Sequence, residues 1–152
     1  MKKILIINGP NINMLGMREP AIYGKTTLGD IEKRLRSLAE KLKVEVDFFQ
    51  SNHEGEIVDK IQSSANRISG IIINPAAFTH TSIAIRDALV SISVPTIEVH
   101  ISNIYARENF RHKSYIAPVA IGQISGLGTD GYLLALKKLG AENISNAFEE
   151  MQ

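Results

Sequence analysis

Tyr23, Arg18, Glu98 and His100 are the residues of this chain whose types and spacing suit proton chemistry. They fall in two short stretches. One runs from Gly9-Pro10-Asn11 through Arg18-Glu19-Pro20 to Tyr23-Gly24, and the other is Glu98-Val99-His100-Ile101-Ser102-Asn103. A phenol and an imidazole can act as base and acid without a metal or a cofactor. On a strand, residues two apart face the same way, so Glu98 and His100 project together and the carboxylate can orient or charge the ring. An unperturbed tyrosine titrates near pH 10, which leaves roughly 0.1% phenolate at pH 7. A guanidinium within a few ångströms raises that fraction roughly ten- to a thousandfold. Arg18, Arg107 and Arg111 are the candidates to activate Tyr23.

Five apolar runs, residues 4–7, 44–49, 71–73, 96–99 and 119–124, each end in polar or Gly/Pro punctuation and read as strands. Helical patterns alternate with them. Ile31, Leu35, Leu38 and Leu42 form one apolar stripe, with Thr27 and Asp30 as its N-cap signal. Residues 54–65, 82–90 and 132–139 predict three more helices, the last ended by Gly140. Alternation of this kind implies an α/β domain with a parallel sheet and helices on both faces. Five strands suggest the flavodoxin-like order 2-1-3-4-5, in which ligands bind beyond the carboxyl ends of the strands where the order reverses. The chemistry-bearing residues lie at those ends. Residues 8–25 form a loop longer than an ordinary βα connection, and its Pro and Arg content suggests a lid. The whole chain, 1–152, reads as a single domain, with residues 141–152 as a peripheral helix or tail.

The 17 basic and 16 acidic side chains nearly cancel, which disfavours a nucleic-acid or membrane partner and leaves room only for a small, locally held anion. Without cysteine there is no disulfide, thiolate nucleophile or cysteine-based zinc site. The first apolar run stops at Asn8-Gly9-Pro10, too short for a signal peptide, so a cytoplasmic location is expected. Gly24-Lys25-Thr26 imitates a phosphate loop but has Glu19 where that motif needs glycine. Gly126-Leu127-Gly128-Thr129-Asp130-Gly131 spells a dinucleotide fingerprint, yet no strand with an acidic residue follows, so a tight strand-to-helix turn is the reading. His53, His80, His100 and His112 lack helical metal-ligand spacing, and no metal is expected. His80, Ser82 and Asp87 include the residue types of a hydrolase triad without the serine elbow.

Taken in order, Gly9-Pro10-Asn11, Arg18-Glu19-Pro20, Tyr23-Gly24, Thr79-His80-Thr81-Ser82, the 98–103 stretch and the arginines at 107 and 111 resemble the type II 3-dehydroquinate dehydratases. The resemblance covers about residues 4–139. It departs most clearly at Ala76, where many members carry glycine, which bears on the geometry of that loop. The resemblance implies the flavodoxin-like fold, no cofactor, and 3-dehydroquinate as substrate. It gives Tyr23 the role of base at C2, Arg18 its support, and Asn11 a water that meets the enolate. His100 becomes the acid for the departing hydroxyl, steered by Glu98. It implies that Asn74 and the backbone of Ile101 and Ser102 hold the carboxylate. His80, Arg107 and Arg111 bind the rest of the substrate, and Asp87 reaches in from a neighbouring subunit of a dodecamer of four trimers. A flavodoxin-like module that binds FMN or a nucleotide without catalysis is the competing reading. A receiver-like signalling domain is disfavoured because Asn8 and Asn74 stand where its acidic residues would be.

Overall fold

Ile4, Leu5, Ile6 and Ile7 are all fully buried, because the strand that carries them is covered on both faces. The computed structural model describes residues 1–17, 21 and 24–141. Its strands are β1 (Lys3–Asn8), β2 (Glu45–Gln50), β3 (Gly70–Asn74), β4 (Thr96–His100) and β5 (Gly122–Ser125). They form one parallel sheet in the order β2-β1-β3-β4-β5, as the alternation of elements implied. The helices are α1 (Leu28–Leu42), α2 (Glu54–Ser63), α3 (Ile83–Ile92) and α4 (Asp130–Gly140). Successive strand residues alternate between two apolar layers. Ile4, Ile6, Ile72 and Val99 pack with Leu35 of α1 and Leu136 of α4. Leu5, Ile7, Ile71 and Ile73 pack with Ile57 of α2 and Leu89 of α3.

Local signals explain most boundaries. Thr27 and Asp30 close a reciprocal capping box at the start of α1, with bonds of 3.0 and 3.1 Å. Ser82 caps α3 by accepting from the amide of Ile85 at 2.9 Å, so its hydroxyl serves the helix and not a hydrolase triad. The glycine-rich 126–131 segment is the β5-to-α4 turn. Gly126 sits at φ 89°, and a Cβ there would lie 2.9 Å from Cβ of Asn103.

The fifth strand starts later than its sequence suggests. Pro118 lies inside a 3₁₀ turn, Ala117–Val119, and lacks the N–H a ladder needs, so Val119 turns and pairing starts at Gly122. The helix at 132–139 begins earlier, at Asp130, and includes Gly140. Of the long loop, Arg18, Glu19, Pro20, Ile22 and Tyr23 lie outside the described residues, as does the segment 142–152, so the lid and the tail stay as expectations. Among the described residues no helix is long and apolar enough to cross a membrane.

Candidate active site

The parallel register brings a row of polar residues to the carboxyl ends of the strands. Asn8 of β1 lies beside Gln50 of β2 and Asn74 of β3, while Glu98 of β4 lies beside Gln123 of β5. Above this row opens a cleft of about 220 Å³. Asn11, Asn74, His80, His100, Arg107 and Arg111 supply its polar side chains, and Ile101 and Ser102 form part of its wall. Among the described residues no aspartate or glutamate lines it. The near-neutral chain therefore gathers two arginines and two histidines around one small cavity, a setting for a compact anion.

Glu98 and His100 meet as their spacing predicts. The His100 Nε2 lies 3.0 Å from a Glu98 carboxylate oxygen. Glu98 is 0% exposed, and burial alone pushes its carboxyl up. The hydrogen bond and charge of His100, with hydrogen bonds from Ser114 and Gln123, outweigh that effect and hold it below the ordinary carboxylate range. An ionised Glu98 accepts from Nε2–H, which leaves Nδ1 as the other imidazole nitrogen. The Ser114 hydroxyl accepts from the amides of Ile116 and Ala117, so its proton points at Glu98.

His80 stacks near His100, with ring centroids 6.5 Å apart. Its Nδ1–H donates to the Lys113 carbonyl at 2.8 Å, leaving Nε2 as an acceptor. Desolvation pushes His80 below the ordinary histidine range, against the pull of that carbonyl, and the charges of His100 and Arg111 act in the same direction as burial. Arg111 donates through Nε to Glu108, and Arg107 Nη1 lies 3.5 Å from the Ser102 hydroxyl.

The loop bearing Asn11 is anchored from β2 and the loop after it. Asn11 adopts φ 70°, a left-handed conformation that asparagine tolerates, and its amide donates to Oδ1 of Asn52 at 2.9 Å. Gln50 donates to the Gly9 carbonyl at 3.1 Å and to Asn52 Oδ1 at 3.2 Å. Gly9 itself touches the loop after β3, and its amide donates to the Asn74 carbonyl at 2.8 Å. Ala76, the departure from the expected glycine, has φ 52° and donates its amide to Asn74 Oδ1 at 3.1 Å.

The cleft thus assembles Asn11, Asn74, His80, His100, Ile101, Ser102, Arg107 and Arg111, with Glu98 beneath it. Arg18 and Tyr23 lie outside the described residues. Asp87 is exposed on α3 and does not line the cleft of its own chain. The sequence reading missed Ser114, Gln123, Gln50 and Asn52. Gln123 left one trace, a polar amide inside the apolar run 119–124. Among the described residues no three His, Asp or Glu side chains converge to hold a metal ion.

Residues 2–140 match the family described as Dehydroquinase class II. The chain is 79% identical over 139 residues to a 3-dehydroquinate dehydratase of Endomicrobium trichonymphae, covering 91% of this chain and 97% of that protein. It is 57% identical over 139 residues to the 3-dehydroquinate dehydratase of Bacillus subtilis, covering 91% and 94%. Its fold superposes on the crystal structure of a type II dehydroquinase from Butyrivibrio crossotus with a TM-score of 0.90, at 50% identity over 92% of this chain and 98% of that one.

Proposed function

The chain belongs to the class II dehydroquinase family, and from that membership we propose how its cleft carries out the family's reaction. It is a type II 3-dehydroquinate dehydratase, a hydro-lyase of the shikimate pathway that converts 3-dehydroquinate into 3-dehydroshikimate and water. The roles of the individual residues are our reading.

Tyr23, as phenolate supported by Arg18, takes a proton from C2, the carbon next to the ketone. The C–H electron pair becomes an enolate, with its charge on the ketone oxygen. Asn11 holds a water that donates to this oxygen. The ketone then re-forms, a C1–C2 double bond appears, and the C1 hydroxyl leaves on the opposite face. His100 gives that hydroxyl a proton through Nδ1, and water departs. A tertiary hydroxyl leaves poorly without an acid, and a positioned acid or base typically contributes about 10²- to 10⁴-fold.

The observation that carries this reading is the buried Glu98–His100 pair at the floor of a cleft walled by arginine, histidine and asparagine, since it fixes an imidazole with one nitrogen occupied and the other available. Asn74 and the amides of Ile101 and Ser102 receive the substrate carboxylate. His80, Arg107 and Arg111 receive the ring oxygens, with Arg111 steadied by Glu108. The exposed position of Asp87 on α3 supports its serving a neighbouring subunit, as in an assembly of four trimers, and we place the enzyme in the cytoplasm.

Ultraviolet absorbance after addition of 3-dehydroquinate tests the whole scheme, because the conjugated enone carboxylate of the product absorbs and the substrate does not. Tyr23→Phe should abolish turnover while leaving ligand binding nearly intact. His100→Ala should be similarly severe. Near-normal turnover by either variant would remove that residue from its role. Borohydride added with substrate should not inactivate the enzyme, as no lysine is called on to form an imine.

A further inference from the structure

Tyr132 is fully buried in the first turn of α4, and its hydroxyl lies under the cleft. The hydroxyl donates to Oδ1 of Asn8 at 2.6 Å and accepts from Nδ2 of Asn74 at 2.9 Å. Asn8 and Asn74 are register partners at the ends of the two central strands, and only Asn74 lines the cleft. The phenol therefore joins a helix on one face of the sheet to the point where strand order reverses.

The three bonds have a direction. The Ala76 N–H donates to Asn74 Oδ1, an Asn74 N–H donates to Tyr132, and the Tyr132 O–H donates to Asn8. A primary amide has two N–H donors and one carbonyl oxygen. With the oxygen on Ala76 and one N–H on Tyr132, the second N–H remains for a ligand. Turning the amide over would set its N–H groups against the Ala76 N–H, donor against donor. It would also need the phenol to give up Asn8 and donate to Asn74 instead. Burial pushes the Tyr132 hydroxyl up from its ordinary range, so it keeps its proton and stays a donor at neutral pH.

We propose that Tyr132 is a positioning residue that fixes the polarity of the Asn74 amide, so that Asn74 offers an N–H and not a carbonyl oxygen to the substrate carboxylate. The proposal rests on the assignment of Asn74 to the carboxylate made above. A carbonyl oxygen facing a carboxylate repels it, whereas an N–H makes a charge-assisted bond.

The test is steady-state kinetics with 3-dehydroquinate on Tyr132→Phe, Asn74→Ala and the double variant. Asn74→Ala should raise KM about tenfold or more, the loss expected for one charge-assisted hydrogen bond. Tyr132→Phe should raise KM by a similar factor, with kcat within about twofold, and the double variant should be no worse than Asn74→Ala alone. A purely structural role would lower the melting temperature and leave KM unchanged. Asn8→Leu removes the acceptor that aims the phenol proton. It should also raise KM, and it carries the test if Tyr132→Phe fails to fold. If Asn74→Ala raises KM but neither Tyr132→Phe nor Asn8→Leu does, the inference is overturned and the role of Asn74 stands. If Asn74→Ala leaves KM unchanged, both fall.

Discussion

Gly9→Ala should damage this enzyme far more than one methyl group suggests. A Cβ on Gly9 would lie 2.4 Å from the Pro75 carbonyl oxygen and 2.7 Å from its carbon, whereas ordinary Cβ contacts start at 3.4 Å. The loops after β1 and β3 must then separate by about 1 Å, the difference between 2.4 Å and 3.4 Å. The neighbouring atoms are backbone, so no side-chain rotation relieves the overlap. Overpacking of this kind costs roughly 1–3 kcal/mol. The displaced Gly9 amide also forfeits its 2.8 Å bond to the Asn74 carbonyl, a further loss of roughly 1 kcal/mol. For a domain of this size, about 2–4 kcal/mol lowers the melting temperature by roughly 4–16 °C. The same shift moves Asn11 away from Asn74, and a misplacement of about 1 Å in a reacting constellation costs on the order of 10²-fold in rate. Thermal unfolding and kcat by product absorbance measure the two effects separately. Gly55→Ala is the control, since its added Cβ meets nothing within 4 Å. A Gly9→Ala enzyme that melts within a degree of wild type and turns over within twofold would refute the close-approach argument. A lowered melting temperature with full kcat would break the link from packing to catalysis.

Ala76→Gly should raise the melting temperature by about 1–3 °C and leave kcat unchanged, because a left-handed alanine is strained by more than the entropy that glycine adds to the unfolded chain. A lower melting temperature would mean that the alanine methyl has a packing role. Gln123→Leu removes one donor from the Glu98 carboxylate and should lower kcat about tenfold with little change in KM; unchanged kcat would show that Ser114 and His100 suffice. The pH dependence of stability carries the signature of Glu98. Its carboxyl titrates lower in the folded protein than its ordinary value of 4.5, so the unfolded chain takes up the proton first as pH falls. The stabilisation is complete above that value and is lost as pH drops through the folded one. Asp30 and Glu108 are also held low, so unfolding by denaturant between pH 3 and 6 should show a steeper loss in wild type than in Glu98→Gln, and parallel curves would contradict it.

The sheet order was legible because continuous apolar strands alternating with amphipathic helices leave few packings, and crossover handedness selects among them. The Glu98–His100 contact was legible for a similar reason, since strand geometry alone sets both side chains on one face. Three-residue turns left no such pattern. The 3₁₀ turns at Ile104–Ala106 and Asn109–Arg111, which place Arg107 and Arg111 at the cleft, have too few residues for any period to show. Ser114 was invisible and Gln123 left only a polar amide in an apolar run, because their role depends on register and on the loop that brings Ser114 to Glu98, which are tertiary facts. Val119 misled because its β-branched side chain outweighed Pro118, whose missing N–H decides the local structure.

Asn11, Asn74 and His100 come from the ends of β1, β3 and β4 or the loop that follows, and each is held by a group that does not line the cleft. Asn11 leans on Asn52, Asn74 on Tyr132, and His100 on Glu98, which Ser114 and Gln123 hold in turn. This division follows from the chemistry. A group that meets substrate must keep one polar valence open, so its remaining valences need partners that face away from solvent. At the carboxyl end of a parallel sheet such partners are at hand, because neighbouring strands run in the same direction and end together. An enolate survives only if its donors are already aimed when the proton leaves, so aim matters as much as identity. If Asn74 receives the substrate as proposed, the fixed polarity of its amide is part of the catalytic design. Substitutions at these supporting positions should appear as kinetic defects in chains that still fold.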